Sequence, residues 1–405
     1  MLKQLKLDTP GERVWKRFLR NNLAFSGLII ISLCLLVSVL GYLICPDSSP
    51  NGNLMHIQFS IKKPGSSFTL LLIRKKKKID TVSIFGRLLN GQTPFFEEIP
   101  INSFHFKGDS LEIRQFTGVK SDSLEKSIYH LVDIVYAPKS NIKRLGKFYS
   151  FEDIWGKKIQ ISTSEIQKMV REKYIVQRKY YLGTDLYGRD LLSRLILGSR
   201  ISISVGLMAV LISLSLGVFL GSIAGFYRGW VDNLVSWLIN VIWSLPALLL
   251  VIAISLSLGK GLWQIFIAVG LTMWVEVARM VRGQVFVMRE SEFVEAGKAL
   301  GMNNFRLITR HILPNIGGPI LVVASSNFAS AILLEAGLSF LGFGAQPPFP
   351  SWGSMIKENY GYIIIDAAFL ALIPGIAIML VVYGFNLISV GLRDAYDIRD
   401  QNSMR

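Results

Sequence analysis

The chain has 405 residues, of which 51% are hydrophobic and only 18% are charged, and its formal net charge is +16. With a mean hydropathy of +0.42, this composition is typical of a membrane protein and excludes an ordinary soluble globular protein. The two cysteines, Cys34 and Cys45, lie about 16 Å apart along one predicted helix, too far for a disulfide. No metal or redox site is predicted from them.

Stretches long enough to cross a bilayer, which takes about 20 apolar residues, recur along the chain. Six spans are predicted, at about 23–45, 201–226, 233–258, 262–284, 316–340 and 368–390. Pro246 in the third span and Pro374 in the sixth are tolerable where neighbouring helices satisfy the freed carbonyl groups. The first span is too long for a cleaved signal peptide, so we expect it to be retained.

The basic residues predict the orientation. Six of them precede the first span: Lys3, Lys6, Arg13, Lys16, Arg17 and Arg20. The N-terminus is therefore predicted to be cytoplasmic, and six spans then make the C-terminus and the basic loop before the fifth span cytoplasmic as well. The predicted segments are 1–22 (cytoplasmic), 23–45 (first span), 46–180 (extracytoplasmic insert), 181–395 (five further spans, with the loop at 285–315) and 396–405 (cytoplasmic tail).

Residues 46–180 are numerous enough for a small folded domain. Strands are predicted over His56–Ile61, Phe68–Ile73, Thr81–Phe85, Ser103–Phe106, Leu111–Phe116 and Ile128–Tyr136. Gly108-Asp109 gives the best hairpin turn, and a helix is predicted at about 163–177. The insert is therefore predicted to be mainly β, and its role stays open.

The insert also contains the basic run RKKKK at 74–78. The favoured interpretation is a solvated turn or a set of lysines that protects an edge strand. Contact with anionic lipid head groups is the alternative. No nucleic acid is predicted as a partner, because that would need aromatic residues interleaved with a basic face.

The loop between the fourth and fifth spans contains a docking element. Ser291 as N-cap, acidic residues in the first turn and Gly301 at the C′ position predict a helix over 292–300. A second helix is predicted over 303–311, ended by the Ile-Leu-Pro sequence at 312–314. A capped helix in a loop of a membrane protein suggests that it is presented to a partner.

A resemblance enters at this loop. The pattern Glu295-Ala296-Gly297, then Gly301, then Leu313-Pro314 resembles the EAA loop of permease subunits of bacterial ABC importers. In that family the loop forms the coupling helix that fits a groove on the ATPase subunit. The third position is usually Ala, and Gly297 departs from it only mildly, since both residues are small.

Further signatures resemble the C-type permease of dipeptide, oligopeptide and nickel importers. Before the second span these are Gly183, Thr184, Asp185, Gly188, Arg189 and Asp190. The sequence EAGLSFLGFG from Glu335, the SWG sequence at 351–353 and the GLRDA tail at 391–395 follow in the family's order. Arg189, Arg194 and Arg200 with intervening leucines also predict an amphipathic segment at the outer membrane interface.

Four of the charged residues within or beside the spans are considered as functional candidates. Glu276 and Arg279, three apart on one helix face, are predicted to pair and to brace the coupling loop. Glu335 and Asp366, near the outer side, could contact the amino group of a peptide or satisfy a helix end. No substrate-binding residue is assigned.

The resemblance implies an all-α polytopic membrane protein with six transmembrane helices of the type I ABC importer permease fold, with the mainly β insert between helices 1 and 2. It implies a subunit in the bacterial cytoplasmic membrane that moves di- or oligopeptides into the cytoplasm. The implied partners are a second homologous permease, two ATP-binding subunits, an extracytoplasmic substrate-binding protein and membrane lipids. ATP and Mg would be bound by the partner subunits, with no cofactor in this chain.

Two alternatives remain open. A nickel or other small-solute importer carries the same signatures. A channel or secondary transporter that is independent of ATP would show titratable residues or broken helices at the midplane, and the sequence gives little sign of either. No GxxxxGK[ST] loop occurs, so the chain is not expected to be an enzyme.

Overall fold

The computed structural model describes residues 10–118, 126–139, 142–259 and 261–397. They divide into two compact units. The insert unit contains residues 40–197 and 364–367, and the helical unit contains the rest of the chain. The strands of the described residues all lie in the insert unit.

The elements are as follows in chain order. The α-helices are α1 (Pro10–Arg20), α2 (Asn22–Ile44), α3 (Ile84–Asn90), α4 (Leu131–Val135), α5 (Thr163–Met169), α6 (Leu191–Tyr227), α7 (Gly229–Trp243), α8 (Ala247–Leu258), α9 (Leu262–Met288), α10 (Glu292–Ala299), α11 (Asn304–Arg306), α12 (Leu313–Asn315), α13 (Gly317–Leu341), α14 (Trp352–Asn359) and α15 (Phe369–Tyr396). The strands are β1 (Ser66–Arg74), β2 (Phe96–Lys107), β3 (Ser110–Gln115), β4 (Lys126–His130), β5 (Lys143–Leu145), β6 (Phe148–Glu152), β7 (Lys158–Ser162) and β8 (Ile175–Tyr180).

Two antiparallel sheets form the frame of the insert unit. The larger has the strand order β4-β3-β2-β1-β8 and the smaller the order β5-β6-β7. In β3, Leu111 and Ile113 are fully buried and alternate with more exposed residues, as expected for a strand with one face on a core. Together with Leu131 they belong to one apolar cluster, so the insert unit has its own core. The β2–β3 hairpin turns at Gly108-Asp109, as predicted.

One predicted strand of the insert, Thr81–Phe85, is wrong. Its β-branched and aromatic residues favour a strand, but the chain instead enters helix α3 at Ile84. The reason is local, because the Ser83 hydroxyl accepts a hydrogen bond from the Gly86 N–H (3.2 Å) and caps the helix.

Other predictions for the insert fail at the ends of segments. His56–Ile61 contains a 3-10 turn at Ile57–Phe59 and no named strand. Ile128–Tyr136 is a strand only as far as His130, where α4 begins. The helix predicted at 163–177 gives way to β8 before its end. The patterns therefore identified the β regions, whereas their limits depend on tertiary packing.

A buried charged cluster connects β2 and β8 of the insert. Arg178 binds the Glu98 carboxylate with two hydrogen bonds, of 2.6 and 2.7 Å, and His56 Nε2 lies 3.0 Å from Glu98 Oε2. Burial by itself would raise the pKa of Glu98, but the His56 hydrogen bond and the Arg178 charge outweigh it and hold that pKa below its usual value. Glu98 is therefore ionised and stabilising at neutral pH.

Changing Glu98 to Gln is expected to destabilise the insert unit by about 3 kcal/mol at neutral pH, since it leaves the Arg178 charge without its partner in a partly buried site. Because folding lowers the pKa of Glu98, its contribution to stability is lost as the pH falls through the folded-state value. The difference between native and variant chains should therefore shrink in acid. Limited proteolysis of the full chain measures it, and Glu97→Gln, the same change at the exposed neighbouring position, is the control.

Five helices are long and apolar enough to cross a membrane: α2, α6, α9, α13 and α15. They confirm five of the six predicted spans. Most ends agree to within a few residues, but α6 begins at Leu191, well before the predicted start at 201.

The third predicted span, 233–258, is not one helix, and this prediction is corrected. α7 and α8 form a pair bent by 94° at residues 244–246. Pro246 accounts for the break, because it has no N–H to donate and in a continuous helix its ring would clash with the carbonyl group of Ile242. The count is therefore five spans and one bent pair, which is either a broken span or a re-entrant hairpin.

α6 and α9 approach each other closely in the helical unit. Gly217, Gly221 and Gly225 repeat every four residues on one face of α6. A Cβ atom at these positions would lie 2.5 Å from Val277 Cβ, 2.5 Å from the Ala278 carbonyl oxygen and 2.6 Å from the Arg282 carbonyl oxygen, respectively. Small residues at such spacing allow helix backbones to come into contact. The packing fixes α9, which leads directly into α10.

Candidate functional site

The segment between α9 and α13 contains a separate capped helix, α10, one residue shorter than predicted. Ser291 stands at the N-cap position with extended backbone angles. Its hydroxyl, however, donates to the Met288 carbonyl (2.5 Å) and makes no cap hydrogen bond with the helix. Glu292 and Glu295 lie in the first turn, where the helix dipole favours negative charge.

The other end of α10 closes on Gly301, which has a φ of 75°. The N–H of Met302 donates to the Gly297 carbonyl (3.0 Å), and the N–H of Gly301 donates to the Lys298 carbonyl (2.9 Å). These two hydrogen bonds form a Schellman motif, which satisfies carbonyl groups that a helix end otherwise leaves free. The predicted C′ position of Gly301 is confirmed by this geometry.

Gly301→Val is expected to impair the loop more than Gly301→Asn. A left-handed conformation costs a residue with a side chain about 1–2 kcal/mol, and Asn adopts it far more readily than a β-branched residue. No atom lies within 4 Å of a Cβ at this position, so the comparison isolates backbone conformation. ATP-dependent uptake measures the effect, and equal activities of the two variants would contradict the cap.

The inner face of α10 is anchored by two residues, Val294 and Gly297, which lie three apart and are both buried. Val294 belongs to an apolar cluster with Val281 of α9 and Leu307 of the following segment. A Cβ at Gly297 would lie only 2.6 Å from Leu307 Cδ2. The third position of the Glu-Ala-Gly pattern is therefore a point of close approach between the loop's two helical segments.

The outer face presents apolar side chains to solvent. Phe293 is 42% exposed, Leu300 79% and Phe305 72%. Glu295 and Ala296, between the first two, are also exposed. Exposed apolar side chains rimmed by charged ones are typical of a protein contact surface.

The second helical segment of the loop runs further than predicted. It begins after Asn303, whose side chain accepts a hydrogen bond from the Phe305 N–H (3.1 Å), and continues through a π-helix at Leu307–Ile312 into α12. The predicted stop at 312–314 is wrong. Pro314 lies in the first turn of α12, where its missing N–H is not needed.

The predicted brace of this loop, an ion pair between Glu276 and Arg279, is not formed among the described residues. The Arg279 guanidinium instead lies over the Trp243 ring, 3.0 Å from its centroid, because the aromatic face of α7 is within reach. Arg282, three residues further along α9, pairs with Asp232 of α7, with an Nη2–Oδ2 distance of 2.8 Å. α9 is thus tied to α7 by two arginines.

A second set of contacts ties the end of α6 to the loop. Arg228 Nη2 lies 2.7 Å from Glu290 Oε1, and the Arg228 guanidinium stacks on Phe286. Phe226 lies beneath two cations, Arg289 and Lys298, at 5.7 and 5.8 Å. Lys298 belongs to α10, so α10 is linked to α6 as well as to α9.

The signature before the second span is a buried turn. Asp185 Oδ1 accepts hydrogen bonds from the N–H groups of Tyr187 (2.9 Å) and Arg189 (3.0 Å), and Asp185 Oδ2 accepts one from Arg189 Nε (2.6 Å). Arg194 Nε lies 3.8 Å from the same carboxylate. The predicted exposed arginine face is wrong for Arg189 and Arg194, because Asp185 draws both inward and they are 6% and 3% exposed. The location of the segment at the outer membrane interface stays a prediction.

The other members of that signature have local structural tasks. The Thr184 hydroxyl accepts from the Lys62 N–H (2.9 Å), and the Asp190 carboxylate accepts from the Ser193 N–H (2.9 Å) at the start of α6. Gly183 and Gly188 have φ angles of 84° and 70°. These residues shape the turn.

Glu335 is fully buried in the helical unit and held by hydroxyl groups. Ser202 donates to Glu335 Oε2 (3.2 Å) and Ser339 donates to Glu335 Oε1 (2.7 Å). The Ser339 hydroxyl lies 3.2 Å from that of Ser351, the N-cap of α14. Glu335 therefore joins α6, α13 and α14. Asp366, its predicted counterpart, is exposed and pairs with Lys63 at 2.8 Å.

An apolar cavity of about 470 Å³ lies in the helical unit at the bend between α7 and α8. Its walls come from the bent pair, α9 and α13, and include Trp243, Leu248, Leu334 and Glu276. Glu276 is thus placed beside a cavity and not in a brace. Asp232 and Val294 were not singled out from the sequence, although a carboxylate in an apolar helix is itself a signal of a buried partner.

These features define a polytopic membrane protein with a separate short helix, α10, in one loop. Residues 217–399 match the family described as binding-protein-dependent transport system inner membrane component, and residues 9–59 match the N-terminal TM domain of oligopeptide transport permease C. The dipeptide transport system permease protein DppC of Alkalihalophilus pseudofirmus is 45% identical over 219 residues, which are 54% of this chain and 72% of that protein. The chain belongs to this family of inner-membrane transport components.

The chain is also similar to two further proteins. The glutathione transport system permease protein GsiD of Pectobacterium atrosepticum is 39% identical over 218 residues, 54% of this chain and 72% of that protein. A solved structure of the MetNI methionine ABC transporter in an inward-facing conformation aligns with a TM-score of 0.43 and 16% identity, covering 51% of this chain and 98% of that one. Residues 60–216, most of them in the insert unit, lie outside both family matches.

Proposed function

We propose that the chain is the permease subunit of an ATP-driven importer of di- or oligopeptides and that α10 couples it to ATPase subunits. The observation that carries this is the helix itself, which is anchored inward by Val294 and Gly297, closed at Gly301, and leaves Phe293 and Leu300 exposed. The relatives named as dipeptide and glutathione permeases support a peptide as substrate. ATP and Mg are bound by the partner subunits, and this chain supplies no catalytic group.

The contacts of α10 give the coupling a route. Movement of the ATPase subunits displaces α10, and the packing of Val294 on Leu307 and Val281 passes the displacement to α9. α9 moves with α6 because their backbones are in contact, and with α7 through the Arg282–Asp232 pair. The end of the bundle next to α10 thus moves as one body between inward-open and outward-open arrangements.

The second permease subunit binds, in this proposal, at the bend between α7 and α8. Residues 243–249 are exposed in the chain, and Pro246 leaves backbone groups there outside a regular helix. Within a bilayer such a break is tolerated only where protein covers it or where it lines a water-filled cavity. A homologous subunit at this face covers the break with protein and encloses a water-filled cavity beside it. The apolar cavity beside Glu276 then becomes part of the substrate path between the two subunits.

Coupling of α10 to ATPase subunits also requires a particular number of membrane crossings before α10. α10 lies on the same side as the N-terminus only if the bent pair α7–α8 counts as one span. The basic residues before α2 favour the cytoplasm for that side. The insert, 46–180, then lies outside, where a substrate-binding protein delivers the peptide, and the segments 1–22 and 396–405 are cytoplasmic.

Reconstituted uptake tests the proposal. The complex purified through this chain is placed in liposomes with ATP and Mg on the side of α10 and binding protein on the other. Labelled dipeptides, longer peptides and nickel are offered separately. We expect peptide accumulation that depends on ATP. Accumulation of nickel without peptide would contradict the substrate, and peptide flux without ATP would contradict the importer.

A further inference from the structure

One exposed apolar surface of the insert unit takes no part in the proposed coupling through α10. The seven-residue helix α3 buries none of its side chains. Ile84 is 80% exposed, Phe85 70% and Leu89 49%, and they lie on one side of the helix. A helix this short is not stable in water by itself, and packing within the chain does not supply the missing stability. It is built to contact something outside the chain.

Local hydrogen bonds hold the loop that carries α3. The Gln92 side chain accepts from the Val82 N–H (3.0 Å) and donates to the Asp80 carbonyl (3.3 Å). Ser83 caps the start of the helix, and Gly91, with a φ of 76°, ends it. The backbone is therefore satisfied while the apolar side chains remain outside, so their exposure is a property of a formed structure.

The loop lies beside the end of a membrane-crossing helix. The Gln92 N–H donates to the Ser48 carbonyl (2.9 Å), four residues after the end of α2. A Cβ at Gly91 would lie 2.8 Å from the ring of Tyr42, which is in the last turn of α2. Because α2 ends where the hydrocarbon ends, these contacts hold α3 at the level of the lipid head groups.

The basic residues next to α3 are also suited to the level of the lipid head groups. Between residues 74 and 92 there are six basic residues and one acidic residue, and four of the basic residues are the lysines at 75–78. Lys76, Lys77 and Lys78 are exposed. Lys78 Nζ lies 5.6 Å from the ring of the half-exposed Trp155, a residue type enriched at membrane interfaces.

We propose that this loop anchors the insert unit to the lipid surface. Ile84, Phe85 and Leu89 insert at the boundary of the acyl chains, and the lysines at 75–78 bind anionic phosphate head groups. The partner is the bilayer itself, and neither peptide nor ATPase is involved. The anchor gives the insert a point of attachment to the membrane in addition to the two helices, α2 and α6, that connect it to the rest of the chain.

A lipid-contact measurement on the full chain tests this. Cys34 and Cys45 are replaced by Ala and Ser, and an environment-sensitive fluorophore is attached at Phe85→Cys in one sample and at Ile84→Cys in a second. The chain is reconstituted in phosphatidylcholine with or without phosphatidylglycerol, and quenching by lipid-bound nitroxide and by aqueous iodide is compared. The control is Ile128→Cys, 66% exposed on β4, at the sheet edge opposite β8.

We expect lipid nitroxide to quench the labels at 84 and 85 and iodide to quench the label at 128. Phosphatidylglycerol should increase the lipid quenching, and replacement of all four lysines at 75–78 by Gln should remove that increase. Equal iodide quenching at 85 and 128 would overturn the proposal. Shielding of the label at 85 from both quenchers would also overturn it, since a protein would then cover the face. If lipid nitroxide quenches the labels equally with and without phosphatidylglycerol, the proposed binding of anionic head groups by the lysines is refuted.

Discussion

Replacing Phe293 by Asp is expected to detach the ATPase subunits and to lower ATP-driven uptake roughly thirtyfold or more, because the loss of an aromatic anchor at an interface costs about 2 kcal/mol or more. Phe293 is the second residue of α10, and Asp at that place is favoured by the helix dipole. The helix itself should therefore not be weakened. Uptake and retention of ATPase during purification are the two measurements.

The matched control for this change is Phe293→Leu, which keeps an apolar side chain at the same exposed position. It should retain most of the uptake. Leu300→Asp, at the other end of the exposed face, should reproduce the loss. If Phe293→Asp transports normally, the outer face of α10 is not where the ATPase binds.

The second large effect is expected at Gly188. A Cβ there would lie 1.8 Å from the backbone oxygen of His56, and the φ of 70° already disfavours any side chain. Gly188→Ala combines an unfavourable conformation, about 1–2 kcal/mol, with an overlap that backbone movement must relieve, about 1–3 kcal/mol. We expect the Asp185-centred turn to open and the melting temperature of the purified chain to fall by several degrees.

Gly108→Ala separates the two causes. Gly108 also has a positive φ, 58°, and lies in the same unit, but no atom is within 4 Å of a Cβ there. This variant should carry only the conformational cost and melt closer to the native chain. Equal melting temperatures for the two variants would show that the approach of His56 to Gly188 is not a tight one.

Local signals in the sequence were sufficient for the coupling helix. Acidic residues followed by Gly301 specify a capped helix whatever surrounds it, and the helix forms within one residue of its predicted end. The spans were predictable for the same reason, since each is a long apolar run. The Pro246 bend was underestimated, because whether a proline kinks a helix or breaks it depends on what its neighbours supply.

Pairings between particular side chains were not predictable in this way. Arg189 and Arg194 carry the pattern of an interfacial segment, but Asp185 pulls both inward through contacts that no periodicity records. The partner of Arg279 was expected on its own helix, whereas Trp243 of α7 competes successfully for it. Glu335 stood out in the sequence as an acidic residue within an apolar span, yet one of its two serine donors, Ser202, comes from a distant segment.

The bent pair does not favour the channel or secondary transporter considered from the sequence. Broken helices occur in those classes, but family membership rests on similarity over more than half of the chain. The structure thus changes the account of the third span without changing the class of protein.

The most direct test of the central claim is mass spectrometry of what co-purifies with the native chain and with Phe293→Asp in mild detergent. The account predicts that the native chain brings a second permease and ATPases that carry the phosphate-binding loop. The variant should keep the permease and lose the ATPases. Recovery of the native chain alone, or of undiminished ATPase with the variant, would contradict coupling through α10.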